Sequence, residues 1–204
     1  METITKKNLA EAGMGIAESN FADAGRMLSE FSTPENFRRI ADATGMMVAA
    51  LSGGGQIVSC GNGGSLCDAA HFAEELTARF RSNRRALRAT AITDAAFLTC
   101  VGNDFGFDRA FARYIEAYGE AGDVLLAIST SGDSPNVLAA AAEARSKGMK
   151  VVALTGKSGG KLAAMCDVEI RAPHSEFSDR VQEIHIKVIH TLCQMIEAQL
   201  GLDK

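Results

Sequence analysis

The segment Ser59-Cys60-Gly61-Asn62-Gly63-Gly64-Ser65 decides the fold of this chain, because two different periodicities meet at it. Residues 56–60 are apolar and β-branched like a short buried strand, and residues 66–80 follow a helical pattern. The glycines therefore lie at a turn from a strand into a helix. Unpaired N–H groups at a helix start favour an anion or a sugar there, and Asn62 and Ser65 add side-chain donors.

Two nucleotide-binding motifs come close to matching this chain and are excluded. In the dinucleotide pattern G-x-G-x-x-G, Leu66 stands where the third glycine belongs after Gly61 and Gly63. The later run Gly156-Lys157-Ser158 resembles the end of a P-loop, but Val151 replaces its first glycine. For the first segment, a tight turn without a ligand is the alternative interpretation.

The composition indicates one globular, reduced protein. The chain has 204 residues, of which 47% are hydrophobic and 23% charged, enough for a single domain with a full core. A net charge of −4 gives no electrostatic case for nucleic acid or an anionic membrane as a partner. The five cysteines form no C-x-x-C pair, which is typical of a cytoplasmic protein. The first ten residues lack the apolar core of a signal peptide, and no apolar run is long enough to span a membrane.

Strand and helix patterns alternate after residue 55. Strands are predicted at 56–60, 89–93, 124–129, 151–155 and 168–171, with helices at 66–80, 108–118, 136–147 and 179–200. This alternation predicts an α/β fold with a parallel sheet and helices on both faces. Two helices precede it, from residue 6 to 31 and from Thr33-Pro34-Glu35 to Gly53. Since they have no strand of their own to cover, at least the first is available for packing against another subunit.

A second polar loop follows the strand at 124–129, with the sequence Ser129-Thr130-Ser131-Gly132-Asp133-Ser134-Pro135-Asn136. Its hydroxyls are neutral donors at a helix start, a set that suits a phosphomonoester better than a carboxylate. The alternative is a capped helix with ordinary serines. Because the carboxyl ends of parallel strands share one edge of a sheet, we expect this loop near the glycine segment.

Two helices carry polar faces that would complete a site. His71 and Glu75 are four residues apart and therefore adjacent on one helix face, with Arg79 one turn further. Spacing does not choose between Glu75 and Glu74, and a surface ion-pair ladder is the alternative. The final helix has one polar stripe, from which His185 points away. The stripe consists of Asp179, Gln182, Ile186, His190 and Cys193.

These motifs resemble the sugar-isomerase (SIS) domain family, and within it the bacterial enzymes that isomerise phosphorylated heptoses. The resembling segments are 59–65, 71–76, 102–106, 129–132 and 182–190. The resemblance implies a single SIS domain over 1–204, with N-terminal helices at 1–53 and the α/β core at 54–204. It implies a three-layer α/β/α fold around a doubly wound, flavodoxin-like, five-stranded parallel sheet. Members form homotetramers with sites at subunit interfaces, and the N-terminal helices help to build the assembly.

The resemblance also implies a reaction and roles for individual residues. Family members convert sedoheptulose 7-phosphate to D-glycero-D-manno-heptose 7-phosphate, the first step toward ADP-heptose and lipopolysaccharide. The residues that resemble substrate contacts are Asn62, Gly63, Gly64, Ser65, Arg79, Asn103, Asp104, Ser129, Thr130, Ser131, Ser134, Asp179 and Gln182. Those that match ligands of one zinc ion per subunit are His71, Glu75, Gln182 and His190. Glu75 and His190 match the acid/base pair, which favours Glu75 over Glu74.

The chemistry of an aldose–ketose isomerase explains these residue types. Moving a carbonyl between C1 and C2 requires a base that takes a proton beside the carbonyl and returns it to the neighbouring carbon of an enediol. We therefore predict Glu75 as the carbon base and His190 as the acid toward the oxygens. One alternative is a non-catalytic adaptor of this fold that binds the replication initiator, and another is an isomerase of a different phosphosugar. The presence of all four predicted metal ligands favours the enzyme.

Overall fold

A computed structural model describes residues 6–203, without the side chains of residues 6–10 and 12. The expectation about a signal peptide falls mostly on residues outside this description. Two helices, α1 (Lys6–Phe31) and α2 (Pro34–Ser52), precede the sheet as predicted. The side chain of Thr33 accepts a hydrogen bond from the Asn36 N–H at 3.2 Å, so the predicted N-cap of α2 is confirmed.

The sheet is parallel throughout its five strands and has the order β2-β1-β3-β4-β5. This is the predicted doubly wound, flavodoxin-like arrangement. Each predicted strand is present, and its boundaries agree with the prediction to within two residues. The strands are β1 (Ile57–Gly61), β2 (Ala89–Ala91), β3 (Val124–Ser129), β4 (Lys150–Thr155) and β5 (Val168–Arg171).

Five further helices connect and follow the strands. They are α3 (Gly64–Thr77), α4 (Ala95–Asp104), α5 (Ala110–Tyr118), α6 (Pro135–Ser146) and α7 (Ser178–Gln199). Helix α4 is absent from the prediction, which left residues 94–107 without an element. Its N-cap is Asp94, whose side chain accepts a hydrogen bond from the Phe97 N–H at 2.6 Å. The helix predicted from residue 108 instead opens with a 3-10 turn at Phe107–Arg109.

Both faces of the sheet are buried, so the chain forms three layers. Helices α2, α3 and α7 cover one face, where Ile57, Leu126 and Leu154 are fully buried, and α1 packs against α7. Helices α5 and α6, with α4 beside α5, cover the other face above Val58 and Leu125. Successive strand residues thus enter opposite cores, which explains why β1 and β3 are apolar at almost every position. Among the described residues, no helix combines the length and apolar character needed to cross a membrane.

A buried ion pair fixes the end of α3. The Arg84 Nε donates to the Glu197 Oε1 at 2.8 Å, and the two side chains are only 2% and 3% exposed. The other guanidinium nitrogens donate to main-chain oxygens, at 2.6 Å for Glu75 and 2.8 Å for Leu76. The last carbonyls of a helix lack partners within it and carry the negative end of its dipole, so a buried cation satisfies both needs. Arg84 therefore ties the end of α3 to α7.

Replacing Arg84 by Ala is expected to lower the free energy of unfolding by about 3–5 kcal/mol, because Glu197 would stay buried without a partner. Chemical denaturation at one fixed protein concentration measures the change. Arg113→Ala is the matched control, since Arg113 pairs with Glu116 at the surface, where both side chains are well exposed. Its loss is expected to be about 0–1 kcal/mol. Equal losses in the two variants would contradict this account of Arg84.

Candidate active site

The site lies where the loops after β1 and β3 meet. These strands are neighbours in the sheet, while the chain leaves β1 toward β2 on one side and reaches β3 on the other. Such a reversal opens a crevice at the carboxyl edge, the usual ligand position in open α/β sheets. The glycine segment forms one wall and the hydroxyl loop the other. Asn62 and Asn136 exchange side-chain hydrogen bonds across it.

The hydroxyls of the second loop face one another. The Oγ atoms of Ser129 and Ser134 lie 2.9 Å apart, and those of Ser129 and Ser131 lie 3.4 Å apart. Ser134 occupies the N-cap position of α6, yet its side chain makes no capping hydrogen bond. Thr130 bonds to the hydroxyl of Ser178 at the start of α7, at 3.4 Å. The loop is thus a compact group of hydroxyls at the start of α6, which is suited to a phosphate.

Gly132 is required where this loop packs on the loop after β4. Its φ of 71° lies in the left-handed region, and a Cβ there would fall 1.9 Å from the carbonyl oxygen of Gly159. Two backbones therefore meet without room for a side chain. This close packing fixes the hydroxyl loop against the loop that follows β4.

The glycine segment brings α3 close to α7. Gly63 has a φ of 54° and precedes the first residue of α3. A Cβ on Gly64 would lie 2.5 Å from the Gln182 Oε1, so the amide of Gln182 packs directly on the glycine backbone. Ser65 is buried in the first turn. The predicted sugar contacts from the glycine segment and Gln182 therefore lie side by side at the starts of α3 and α7.

His71, Glu75 and His190 converge two turns further along the same helices. The His71 Nε2 lies 3.0 Å from the Glu75 Oε1 and 3.2 Å from the His190 Nε2. One ligand atom from each of the three residues lies within 4.8 Å of the others. Two imidazoles and a carboxylate are a typical donor set for zinc. Glu74 is exposed and Glu75 only partly so, which places Glu75 in the cluster and leaves Glu74 outside it.

The fourth predicted metal ligand lies apart from this cluster within one chain. Gln182 precedes His190 by eight residues, which is about 12 Å along a helix axis. Because Gln182 contacts Gly64 while His190 contacts His71, the two helices run parallel. The structure thus brings three of the four predicted ligands together and places Gln182 at the level of the glycine segment.

The ring of His190 lies beside two aromatic rings. Its centroid lies 5.1 Å from that of His71 and 5.9 Å from that of Phe80, which stacks on it. Arg81 lies 5.1 Å from the centroid of Phe80. Burial, together with the charge of the nearby His71, lowers the pKa of His190 below its ordinary value. The neutral imidazole is therefore favoured, the form that can accept a proton or bind a metal.

The remaining predicted contacts are exposed side chains that the structure does not bring into the cluster. Asn103 and Asp104 end α4 and bond to each other at 2.7 Å. Asp179 is exposed in the first turn of α7 and accepts a hydrogen bond from Arg180 at 3.1 Å. Arg79 is exposed just after α3. None of these four side chains belongs to the cluster of His71, Glu75 and His190 in the described residues.

Asp68 is a site neighbour that the sequence analysis missed. It lies one turn before His71 on α3, and its Oδ2 is buried without a hydrogen-bond partner among the described residues. Burial raises the pKa of this carboxyl group to about 6, against the opposing effect of nearby His71. Asp68, His71 and Glu75 follow the spacing i, i+3, i+7, so a helical face contained the signal.

His185 is a structural residue. This agrees with its position on the last helix, where it points away from the polar stripe. It is fully buried, and its Nε2–H donates to the carbonyl oxygen of Thr155 at 2.8 Å. Burial lowers the pKa of His185 to about 4. The imidazole is therefore neutral in the folded protein over a range of pH in which the unfolded chain is protonated.

Lowering the pH is expected to destabilise the protein through His185. The unfolded imidazole titrates near pH 6.5 and the folded one near 4, so stability present above pH 6.5 is lost as the pH falls toward 4. Between pH 7 and pH 5 the free energy of unfolding of the wild type should fall by about 2 kcal/mol more than that of His185→Gln. The raised pKa of Asp68 acts in the opposite direction and is common to both proteins. Parallel pH profiles in urea denaturation would contradict the prediction.

Comparison with known proteins identifies relatives over nearly the whole chain. A family model described as the SIS domain matches residues 20–156. The chain is 55% identical over 187 residues to the phosphoheptose isomerase of Escherichia fergusonii, which covers 91% of this chain and 97% of that protein. The structure of the phosphoheptose isomerase GmhA from Neisseria gonorrhoeae superposes with a TM-score of 0.85 at 41% identity, covering 91% and 98% of the two chains. A phosphoheptose isomerase from Francisella tularensis superposes with the same TM-score at 40% identity and the same coverage.

Proposed function

The chain belongs to the SIS-domain family, and we propose that it is an isomerase that converts sedoheptulose 7-phosphate to D-glycero-D-manno-heptose 7-phosphate. The observation that carries this proposal is the convergence of His71, Glu75 and His190 beside a crevice whose opposite wall is a loop of hydroxyls. The 55% identity to a phosphoheptose isomerase extends over 91% of the chain. A non-catalytic adaptor would need no such cluster.

In the proposed mechanism the hydroxyl loop binds the phosphate and Glu75 moves the proton on carbon. The Glu75 side chain is only 15% exposed, so its carboxylate is partly shielded from water. It removes the proton beside the carbonyl and returns it to the neighbouring carbon, which converts a ketose to an aldose through an enediol. His190, whose lowered pKa favours the neutral ring, exchanges protons with the two oxygens.

We also propose that His71, Glu75 and His190 hold one zinc ion per subunit. The donor set supports this proposal, because two imidazole nitrogens 3.2 Å apart and a carboxylate oxygen gather around one position. Bound zinc would act as a Lewis acid that polarises the substrate carbonyl. The Asp68 carboxyl group, one turn before His71, belongs to the polar surroundings of this site.

A homotetramer is supported by the exposed apolar face of α1. The side chains of Ile16 and Phe21 are 65% and 82% exposed, far more than is usual for residues of their size. Phe21 and Leu28 also line a cavity that reaches Ile186 and His190. A second copy that covers this face would therefore shield the site as well. The five free cysteines fit a cytoplasmic enzyme, whose product would enter ADP-heptose synthesis.

Purified protein is expected to convert sedoheptulose 7-phosphate to the aldoheptose phosphate in an NMR assay. Treatment with a chelator should abolish turnover, and zinc should restore it with one ion bound per subunit, measured by elemental analysis. Activity that is indifferent to chelation would contradict the role of zinc and leave the isomerase standing. Absence of turnover with every metal tested would overturn the isomerase and favour the adaptor.

The Glu75→Gln variant is expected to lose exchange between the substrate carbon and solvent deuterium by about 100-fold or more, because the amide cannot act as a base. His190→Gln should slow isomerisation while retaining part of this exchange, since its role concerns the oxygens. Glu74→Gln is the matched control, because Glu74 is exposed and lies outside the cluster. Near-normal exchange in Glu75→Gln would sink the assignment of the carbon base.

A further inference from the structure

Asn62 and Asn136 form a reciprocal pair of amides across the crevice. The Asn62 Nδ2 donates to the Asn136 Oδ1 at 2.9 Å, and the Asn136 Nδ2 donates to the Asn62 Oδ1 at 2.8 Å. Asn62 belongs to the glycine segment after β1, and Asn136 to the first turn of α6 after the hydroxyl loop. The pair therefore joins the two walls of the site directly.

The direction of each amide is set by the main chain of α6. The Val137 N–H donates to the Asn136 Oδ1 at 3.0 Å, so the oxygen end of Asn136 faces that donor. The same oxygen also accepts from the Asn62 Nδ2, so the Asn136 Nδ2 is left to donate to the Asn62 Oδ1. One N–H of the Asn62 amide remains after the pair is formed. A backbone donor thus determines which end of Asn62 is offered to a ligand.

The two members of the pair differ in exposure. Asn136 is only 2% exposed, whereas Asn62 is partly exposed at the crevice. A buried amide with all its hydrogen bonds formed is held firmly, because breaking them would leave buried polar atoms without partners, which is energetically costly. Asn136 is therefore a rigid support, and Asn62 is the member that a sugar can reach.

We propose that Asn136 is a positioning residue for the isomerase, which fixes the amide of Asn62 so that its remaining N–H points at the sugar. Asn136 does not touch the substrate. It also holds the glycine segment at a constant separation from the loop that binds the phosphate. The inference rests on the proposed function, in which Asn62 contacts the sugar.

A double-mutant cycle on Asn62 and Asn136 tests this role. Asn136→Ala is expected to lower kcat/KM for sedoheptulose 7-phosphate by about 10-fold to 100-fold, as for the loss of one or two oriented hydrogen bonds. In the Asn62→Ala background the same change should alter kcat/KM by less than about 2-fold, because the group that Asn136 orients is gone. The full loss in both backgrounds would overturn the proposal.

Inhibition by inorganic phosphate separates positioning from a general structural effect. The Ki of phosphate should remain unchanged in Asn136→Ala, because the hydroxyl loop keeps its own contacts. A Ki that rises together with KM would show that Asn136 acts through the phosphate loop, which would refute the assignment. Asn36→Ala is the matched control, since Asn36 bonds to the Phe31 carbonyl at the start of another proline-initiated helix. Its turnover should equal that of the wild type.

A second variant keeps the test valid if the alanine protein fails to fold. Asn136→Leu preserves the approximate shape of the side chain without adding a charge, and it can neither donate to Asn62 nor accept from it. It is expected to show the same coupled loss. Calorimetric titration with sedoheptulose 7-phosphate measures Kd for each variant, so the same double-mutant cycle can be evaluated for binding. Absence of turnover in the wild type would refute the isomerase, while additive losses in Kd would refute the role of Asn136.

Discussion

The geometry of the site depends on the docking of α3 against α7, and Arg84 is the group that fixes it. Its guanidinium can be buried because it donates hydrogen bonds to the Glu197 carboxylate and to the main-chain oxygens at the end of α3. One of those oxygens belongs to Glu75, whose side chain lies in the cluster with His71 and His190. A buried ion pair gains little over apolar packing unless its remaining hydrogen bonds are satisfied, and here they are. The backbone of the proposed base is thereby held by the same contact that joins the helices.

The parallel sheet explains why the polar groups lie in two levels. Both helices begin at the carboxyl edge, where Gly64 contacts Gln182. Two turns further, about 10 Å from that edge, His71 meets His190. Loops at the strand ends thus supply hydroxyls and backbone N–H groups, while the helices supply imidazoles and a carboxylate.

Much of the fold could be predicted because its signals are local. The cap at Thr33 and the apolar strands show in a few adjacent residues, whereas α4 was missed because its Ala95–Asp104 sequence has little polar face and includes Gly102. The end of α3 falls three residues earlier than predicted, where Arg84 takes its last carbonyls. That contact could not be foreseen from a pattern, since Arg84 and Glu197 are 113 positions apart.

In the candidate site, too, local features could be predicted and contacts between distant residues could not. Spacing placed His71 beside Glu75 but left Glu74 open, and only the packing of α3 on α7 puts one carboxylate inside and the other outside. Asn136 carried no signal at all, because its partner lies 74 positions away.

The unequal exposure along α1 links the fold to the chemistry. Met27 and Phe31 near its end are buried, while Phe21 is 82% exposed two turns before Leu28. The helix therefore packs on its own chain at one end and presents an apolar face at the other. That face borders the cavity of His190, and the His71 side chain in the same cluster is 41% exposed. Shielding such a site from bulk water strengthens the electrostatic interactions of the base with its substrate. The exposed apolar residues of α1 and the proposed catalytic residues thus lie side by side, so a second copy in the proposed assembly would cover both with one contact.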